Sequence, residues 1–357
     1  MKATFLFGLC VALAASVGCS NSPSHVAYVP LPFDNAVGAY RISDDSGKIT
    51  KLPVSPFATG TSPADVAVHP SNKFLYVANQ SENTISLFTI EESTGALKEV
   101  TPRTATGVTP SNMQVDSAGS FLFVANRSSN TISVFSIDAG SGVLTAVAGS
   151  PFATPPSPVA MTITPSGKYL YVADANLASV SAYAVSSGVL SAVPGSPFAV
   201  GNGPSDMIVD SGEHFLYVAN SFDNTVSGFT IDSGTGALSL ISGTPIATGT
   251  GPRALAFDSS GTFFYAANFG STNISGFSVD TTTGKLTVID KSPFTGPADP
   301  TFMVLSPSGK YFLIGSQSAK TITEYTIDAS DPPTGALTSS GVTVTLDAAP
   351  VAIGLAK

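Results

Sequence analysis

A string of four residues, Tyr76-Val77-Ala78-Asn79, returns along the chain with small changes. It reappears as Phe123-Val124-Ala125-Asn126, Tyr171-Val172-Ala173-Asp174, Tyr217-Val218-Ala219-Asn220 and Tyr265-Ala266-Ala267-Asn268, with looser copies starting at Tyr28 and Leu313. Successive copies lie 46 to 48 residues apart. A glycine ahead of a short apolar stretch keeps nearly the same period, at Gly47, Gly95, Gly142, Gly188, Gly236, Gly284 and Gly335. Two independent markers therefore count seven units. A fixed period of this length is the mark of a repeat architecture.

Each unit reads as four short strands. In the fourth, an apolar strand follows Pro158 and ends in the turn Thr164-Pro165-Ser166-Gly167, where glycine supplies a positive φ. Tyr169 to Ala173 forms the second strand and Ser179 to Val185 the third, and Ser187-Gly188 turns the chain into a fourth near Leu190. Seven such units predict an all-β fold, a seven-bladed propeller of four-stranded antiparallel blades. Face-to-face packing of blades requires apolar residues on both faces of the middle strands. That accounts for a mean hydropathy of +0.29 without a membrane.

The two ends do not match. The first unit starts at its second strand, around Val26-Ala27-Tyr28-Val29, whereas Pro350-Val351-Ala352-Ile353-Gly354-Leu355 is a surplus innermost strand. The terminal strand is expected to join the first blade and close the ring, removing an open sheet edge.

Residues 1–18 read as a signal peptide: a Lys2 start followed by an apolar run from Ala3 to Val17, too short for a comfortable membrane span. Ser16-Val17-Gly18-Cys19 resembles the bacterial lipobox, with Ser16 where that pattern prefers an aliphatic residue. The expectation is a lipid on Cys19, a short tether over 19–24 and a propeller over 25–357, held at the bacterial cell envelope with the outer membrane favoured. Residues 20–24 reach about 17 Å when extended. The only other cysteine, Cys10, lies in the signal segment, so no disulfide is expected.

Across the repeats the chain resembles the seven-bladed β-propeller lactonase family, and its Tyr-Val-Ala-Asn strings also resemble the YVTN repeats of surface-layer proteins. The first resemblance implies 6-phosphogluconolactonase or muconate-lactonising activity. It places the site at the central funnel, on the face formed by loops entering the first strand and leaving the second. The family pattern has a Pro-His step in one blade, a Pro-Arg-His step in the next, and an Asn-Glu pair after that blade's second strand. Here the corresponding steps are Pro204-Ser205, Pro252-Arg253-Ala254 and Asn268-Phe269. Only Arg253 remains of that set.

The three histidines, His25, His69 and His214, read as solvated turn residues away from the funnel, so no Ser-His-Asp arrangement is expected. Metal-ligand spacings are absent from the sequence, and neither a metal nor a cofactor is expected. Two residues after each blade's proline stand Asp65, Asn112, Ala160, Asp206, Ala254, Phe302 and Ala352. The three polar members of this axial slot are either a ligand- or cation-binding set with Arg253 or caps for the loop's own amides. The recurring Asn79, Asn126, Asp174, Asn220 and Asn268 read as turn formers. Arg127, Phe222 and Phe269 interrupt the repeat in loops after the second strand, where binding specificity sits on a repeat scaffold.

A net charge of −9 argues against a nucleic-acid partner. The loss of the family's His and Glu favours a non-catalytic binding or scaffolding module of the envelope, a monomer whose partner is an envelope protein or a small carbohydrate or lactone. The alternative is a lactone hydrolase with Arg253 as electrophilic stabiliser and Asp206 or Asp65 as base. A third reading is a cation-dependent surface protein of the YVTN type.

Overall fold

The computed structural model describes residues 24–356 apart from 45, 329, 331 and 332. Cys19 and the signal segment fall outside them. Among the described residues, seven antiparallel sheets follow one another around a ring. Blade 4 shows the pattern, with strands Pro158–Ile163, Tyr169–Asp174, Ser179–Ser186 and Val189–Ala192 in order from the axis outwards. Sequence reading missed a further two-residue strand, Phe198–Ala199 in this blade, that pairs with the start of the third strand. Equivalents occur in four other blades.

The second strands form the core. Phe74–Asn79, Tyr169–Asp174, Phe215–Asn220 and Phe263–Asn268 are buried along their whole length, so both of their faces are covered by neighbouring blades. The two repeat markers turn out to be the two ends of one contact. The Tyr76 hydroxyl of blade 2 donates to the Gly142 carbonyl of blade 3 (2.9 Å), and Tyr28, Tyr171 and Tyr265 donate likewise to Gly95, Gly236 and Gly335. Phe123 occupies the same position in blade 3, so the ring fits without its hydroxyl. Tyr76→Phe should therefore cost about 1–2 kcal/mol, the penalty for leaving a buried carbonyl unpaired. The expected readout is a lower denaturant midpoint with an unchanged slope.

The ring closes as the end mismatch requires. Val26, Ala27 and Tyr28 pair with Ala356, Leu355 and Gly354, which makes Gly354–Ala356 the innermost strand of blade 1. The paired segment is shorter than Pro350–Leu355. Continuing the register sets Ala352 opposite Pro30, which has no N–H to offer the ladder. Residues 351–353 line the axis instead.

Three expectations need correction. Asn79, Asn126, Asp174, Asn220 and Asn268, read as turn formers, are fully buried last residues of second strands, each directly ahead of a turn. Asn79 Nδ2 donates to Thr84 Oγ1 (3.2 Å) and Ser86 Oγ (3.0 Å), clamping the second strand to the third; Asn126, Asn220 and Asn268 repeat the bond to serine, and in blade 4 it reverses, Ser181 Oγ donating to Asp174 Oδ2 (2.6 Å). His69 is buried, with Nε2 2.9 Å from the Gly119 carbonyl of the next blade and Nδ1 2.7 Å from Ser71 Oγ. His25 is half-buried, 2.9 Å from Asp44 Oδ2, and only His214 is exposed.

Candidate active site

The innermost strand of each blade has one neighbour within its sheet and turns its other edge to the axis. In blades 2 to 7 the pairing with the second strand slips by one residue just after the leading proline, at Ala64, Ser111, Val159, Ser205, Arg253 and Thr301. Strict strand alternation would turn one of two consecutive residues away from the axis. The bulge re-aims the extra residue, and both members of each pair line a cavity of about 450 Å³.

Asp65, Asn112 and Asp206 lie on this cavity as the axial slot predicts. Their bonding combines both alternatives weighed for them. Asp65 Oδ1 accepts the N–H of Val66 (2.9 Å), while Oδ2 accepts the N–H of Met113 in the next blade (2.7 Å) and Asn112 Nδ2 (3.0 Å). Asn112 Oδ1 in turn accepts the N–H of Met161 (2.9 Å). Asp206 Oδ1 accepts from Met207 (2.8 Å) and Oδ2 from Leu255 of blade 6 (2.8 Å). These side chains cap exposed edge amides and stitch neighbouring blades together. At the same strand position, the Met303 and Ile353 amides receive no side-chain acceptor among the described residues, and both residues line the cavity.

The two carboxylates nevertheless differ from ordinary capping groups. Burial pushes each up to about 7, against the lowering effect of the backbone donors, and Asp65 is raised further by the charge of Asp206. Two or three amide donors do not offset the loss of water, because no cation among the described residues pairs with either group. Asp206 is the more accessible of the two and accepts two hydrogen bonds where Asp65 accepts three. A carboxylate has room for about four, so Asp206 keeps more acceptor capacity for a ligand or water.

Arg253 stands at the junction of this cavity with a wider one above it, of about 550 Å³. Its guanidinium carbon lies 4.9 Å from the centre of the Phe269 ring, a cation–π contact. Among the described residues it makes no hydrogen bond or ion pair; the residue is exposed overall, and partial desolvation of its guanidinium lowers its pKa. An arginine held by a ring face and left without an anion is ready to meet one. The upper cavity also gathers Arg127, Phe222 and Phe269, so the loop residues singled out in the sequence converge on one mouth. Arg127 Nε donates to Ser157 Oγ (3.1 Å).

Gln114 was missed by sequence reading. It lines the lower cavity where the other blades carry Ala67, Thr162, Ile208, Ala256, Val304 and Gly354. A comparison of this second axial slot across the repeats would have singled it out. The bulged hydroxyls were missed as well: Ser205 Oγ donates to the Pro252 carbonyl (2.8 Å) and Thr301 Oγ1 to the Pro350 carbonyl (3.0 Å), tying each blade to the next.

The family model described as "Lactonase, 7-bladed beta-propeller" matches residues 20–161 and 160–352. Among solved structures, the chain is similar to a provisionally named 6-phosphogluconolactonase of Bacteroides fragilis, with a TM-score of 0.82 at 22% identity over 95% of this chain and 99% of that one. It is also similar to the periplasmic gluconolactonase PpgL of Pseudomonas aeruginosa, with a TM-score of 0.78 at 18% identity over 94% and 99% of the two chains. At these identities the likeness is one of fold. No curated protein matches the chain by sequence.

Proposed function

Because the chain belongs to the seven-bladed β-propeller lactonase family, we propose that it hydrolyses a lactone in the central funnel, with Arg253 as electrophile and Asp206 as base. The observation that carries this reading is an unpaired guanidinium at the edge of a cavity whose floor holds a carboxylate raised to about 7.

Lactone opening needs a proton taken from water and a stabilised oxyanion. Asp206, ionised, accepts a proton from the attacking water as its oxygen bonds to the carbonyl carbon. The carbonyl oxygen becomes an oxyanion facing Arg253, with the Met303 and Ile353 amides as further donors from the floor. When the ring C–O bond breaks, the departing ring oxygen takes the proton back from Asp206. The product is a hydroxy acid that ionises at neutral pH, its carboxylate beside Arg253. This pairing replaces the His and Glu of the family pattern, whose positions are Ala254 and Phe269 here.

The test is base uptake in a pH-stat over a panel of lactones, corrected for spontaneous hydrolysis. A base must be ionised to work, so kcat/KM should fall about tenfold per unit as pH drops below the Asp206 value of about 7. Asp206→Asn should abolish that limb along with most of the rate. A panel with no uptake above the spontaneous rate at any pH would remove the hydrolase reading.

A further inference from the structure

The two halves of the funnel differ in chemistry. The floor carries Asp65, Asn112, Gln114 and Asp206, whereas the wall of the mouth is built from Val159, Pro204, Phe222 and Phe269. Hydroxyls do reach the mouth, but their protons are already committed to the protein. Ser111 Oγ donates to the Pro158 carbonyl (3.2 Å), Ser205 Oγ to Pro252 (2.8 Å) and Ser221 Oγ to Gly203 (2.8 Å). Arg127 is tied through Nε to Ser157. A polyhydroxylated ring seated in the mouth would have to draw its partners from the two guanidiniums, one of them engaged by the lactone carbonyl, and its remaining unpaired polar groups would oppose binding.

Phe222 gives the complementary signal. Its ring is 82% exposed and lines the mouth, where it offers an apolar surface to a ligand. The ring lies against the backbone of Gly203. Gly203, at φ +67°, leaves the space it lies over, and a Cβ there would come within 2.8 Å of ring carbons. Phe269 is fixed on the other side of the mouth by its contact with Arg253.

We propose that the mouth is a subsite for an apolar alkyl or aryl substituent carried by the lactone, bound between Phe222 and Phe269 while the lactone carbonyl reaches Arg253. This rests on the hydrolase reading for the identity of the ligand's reactive end. Arg253 borders both cavities. A carbonyl at its guanidinium can therefore leave the rest of the molecule along the apolar wall.

The experiment compares δ-valerolactone, δ-octalactone and δ-decalactone, which share a ring and differ in side-chain length, with D-glucono-δ-lactone. Full burial of a methylene corresponds to roughly a fourfold gain. A partly open subsite should still raise kcat/KM by on the order of tenfold or more from the unsubstituted to the pentyl lactone, and place the latter above gluconolactone. Calorimetric binding of cyclohexanone and 3-pentylcyclohexanone, carbocyclic analogues that cannot be hydrolysed, reads the same preference without turnover. Phe222→Ala should flatten both trends. Phe33→Ala removes an equally exposed ring (82%) on the same face that does not line the mouth, and should leave them intact.

Turnover of every lactone with neither rate nor binding depending on chain length would overturn the apolar subsite and leave the hydrolase standing. Absence of all turnover, with pentyl-ketone binding that Phe222→Ala weakens, would support the subsite and remove the hydrolase. Absence of chain-length dependence in both measurements overturns the subsite whatever the turnover.

Discussion

Arg253→Ala is expected to lower kcat/KM for lactone hydrolysis by about 10²–10³, the usual cost of losing one preorganised oxyanion donor. The size of the effect follows from what the side chain does not do. Among the described residues it makes no hydrogen bond or ion pair, and its guanidinium rests on the Phe269 ring. Its removal leaves no buried partner unsatisfied, so the loss should appear in kcat rather than in the melting curve. Arg253→Lys keeps the charge but loses the planar fork and the stacking on Phe269, and should recover only part of the rate. An alanine variant that retains full kcat/KM would remove Arg253 from the reaction.

Deleting residues 349–357 should cost at least about 5 kcal/mol, outside the range of ordinary single-site effects. The segment supplies the innermost strand of blade 1 and places Ile353 and Leu355 in the cluster joining blades 7 and 1, with Ala356 in the cluster joining blades 1 and 2. It also provides the Pro350 carbonyl that accepts from Thr301. Without it, the strand Ser24–Leu31 becomes an open edge beside a funnel that lacks one of its seven inner strands. A fall of about 10 °C or more in melting temperature is expected, with loss of activity and a tendency to associate through the new edge. A truncated chain that melts with the full-length protein would show that the ring does not depend on this closure.

The architecture was legible because its sequence markers are physical contacts. The tyrosine of one blade and the glycine turn of the next recur together since they share a hydrogen bond, and period and blade count follow. Closure was legible from the surplus strand, but its extent was not, because the missing donor of Pro30 matters only once the register is known. At the site, Asp65, Asn112 and Asp206 stood out as polar residues in an apolar slot. Ser205 and Thr301 did not, since alternation turns them away from the axis and only the bulge brings them back. His69 looked solvated from its Pro-Ser turn because the carbonyl that receives it, Gly119, belongs to a different blade. The missing His and Glu weighed towards a binding module. Hydrolysis gains on two features that no string of residues displays: the carboxylates raised by burial and a guanidinium at Arg253 that no acidic side chain among the described residues pairs with.

The direction in which the chain enters the ring bears on how a ligand arrives. Ser24–Leu31 runs towards the funnel face, ending in the loop that carries Phe33, so Ser24 lies on the far side of the disc. Cys19, five residues earlier, falls outside the described region. A lipid on it would hold the propeller with its back to the bilayer and its mouth turned to the aqueous compartment. A ligand with an apolar tail would then have to leave the membrane and cross water before reaching Phe222, and its delivery would depend on its free concentration in that compartment.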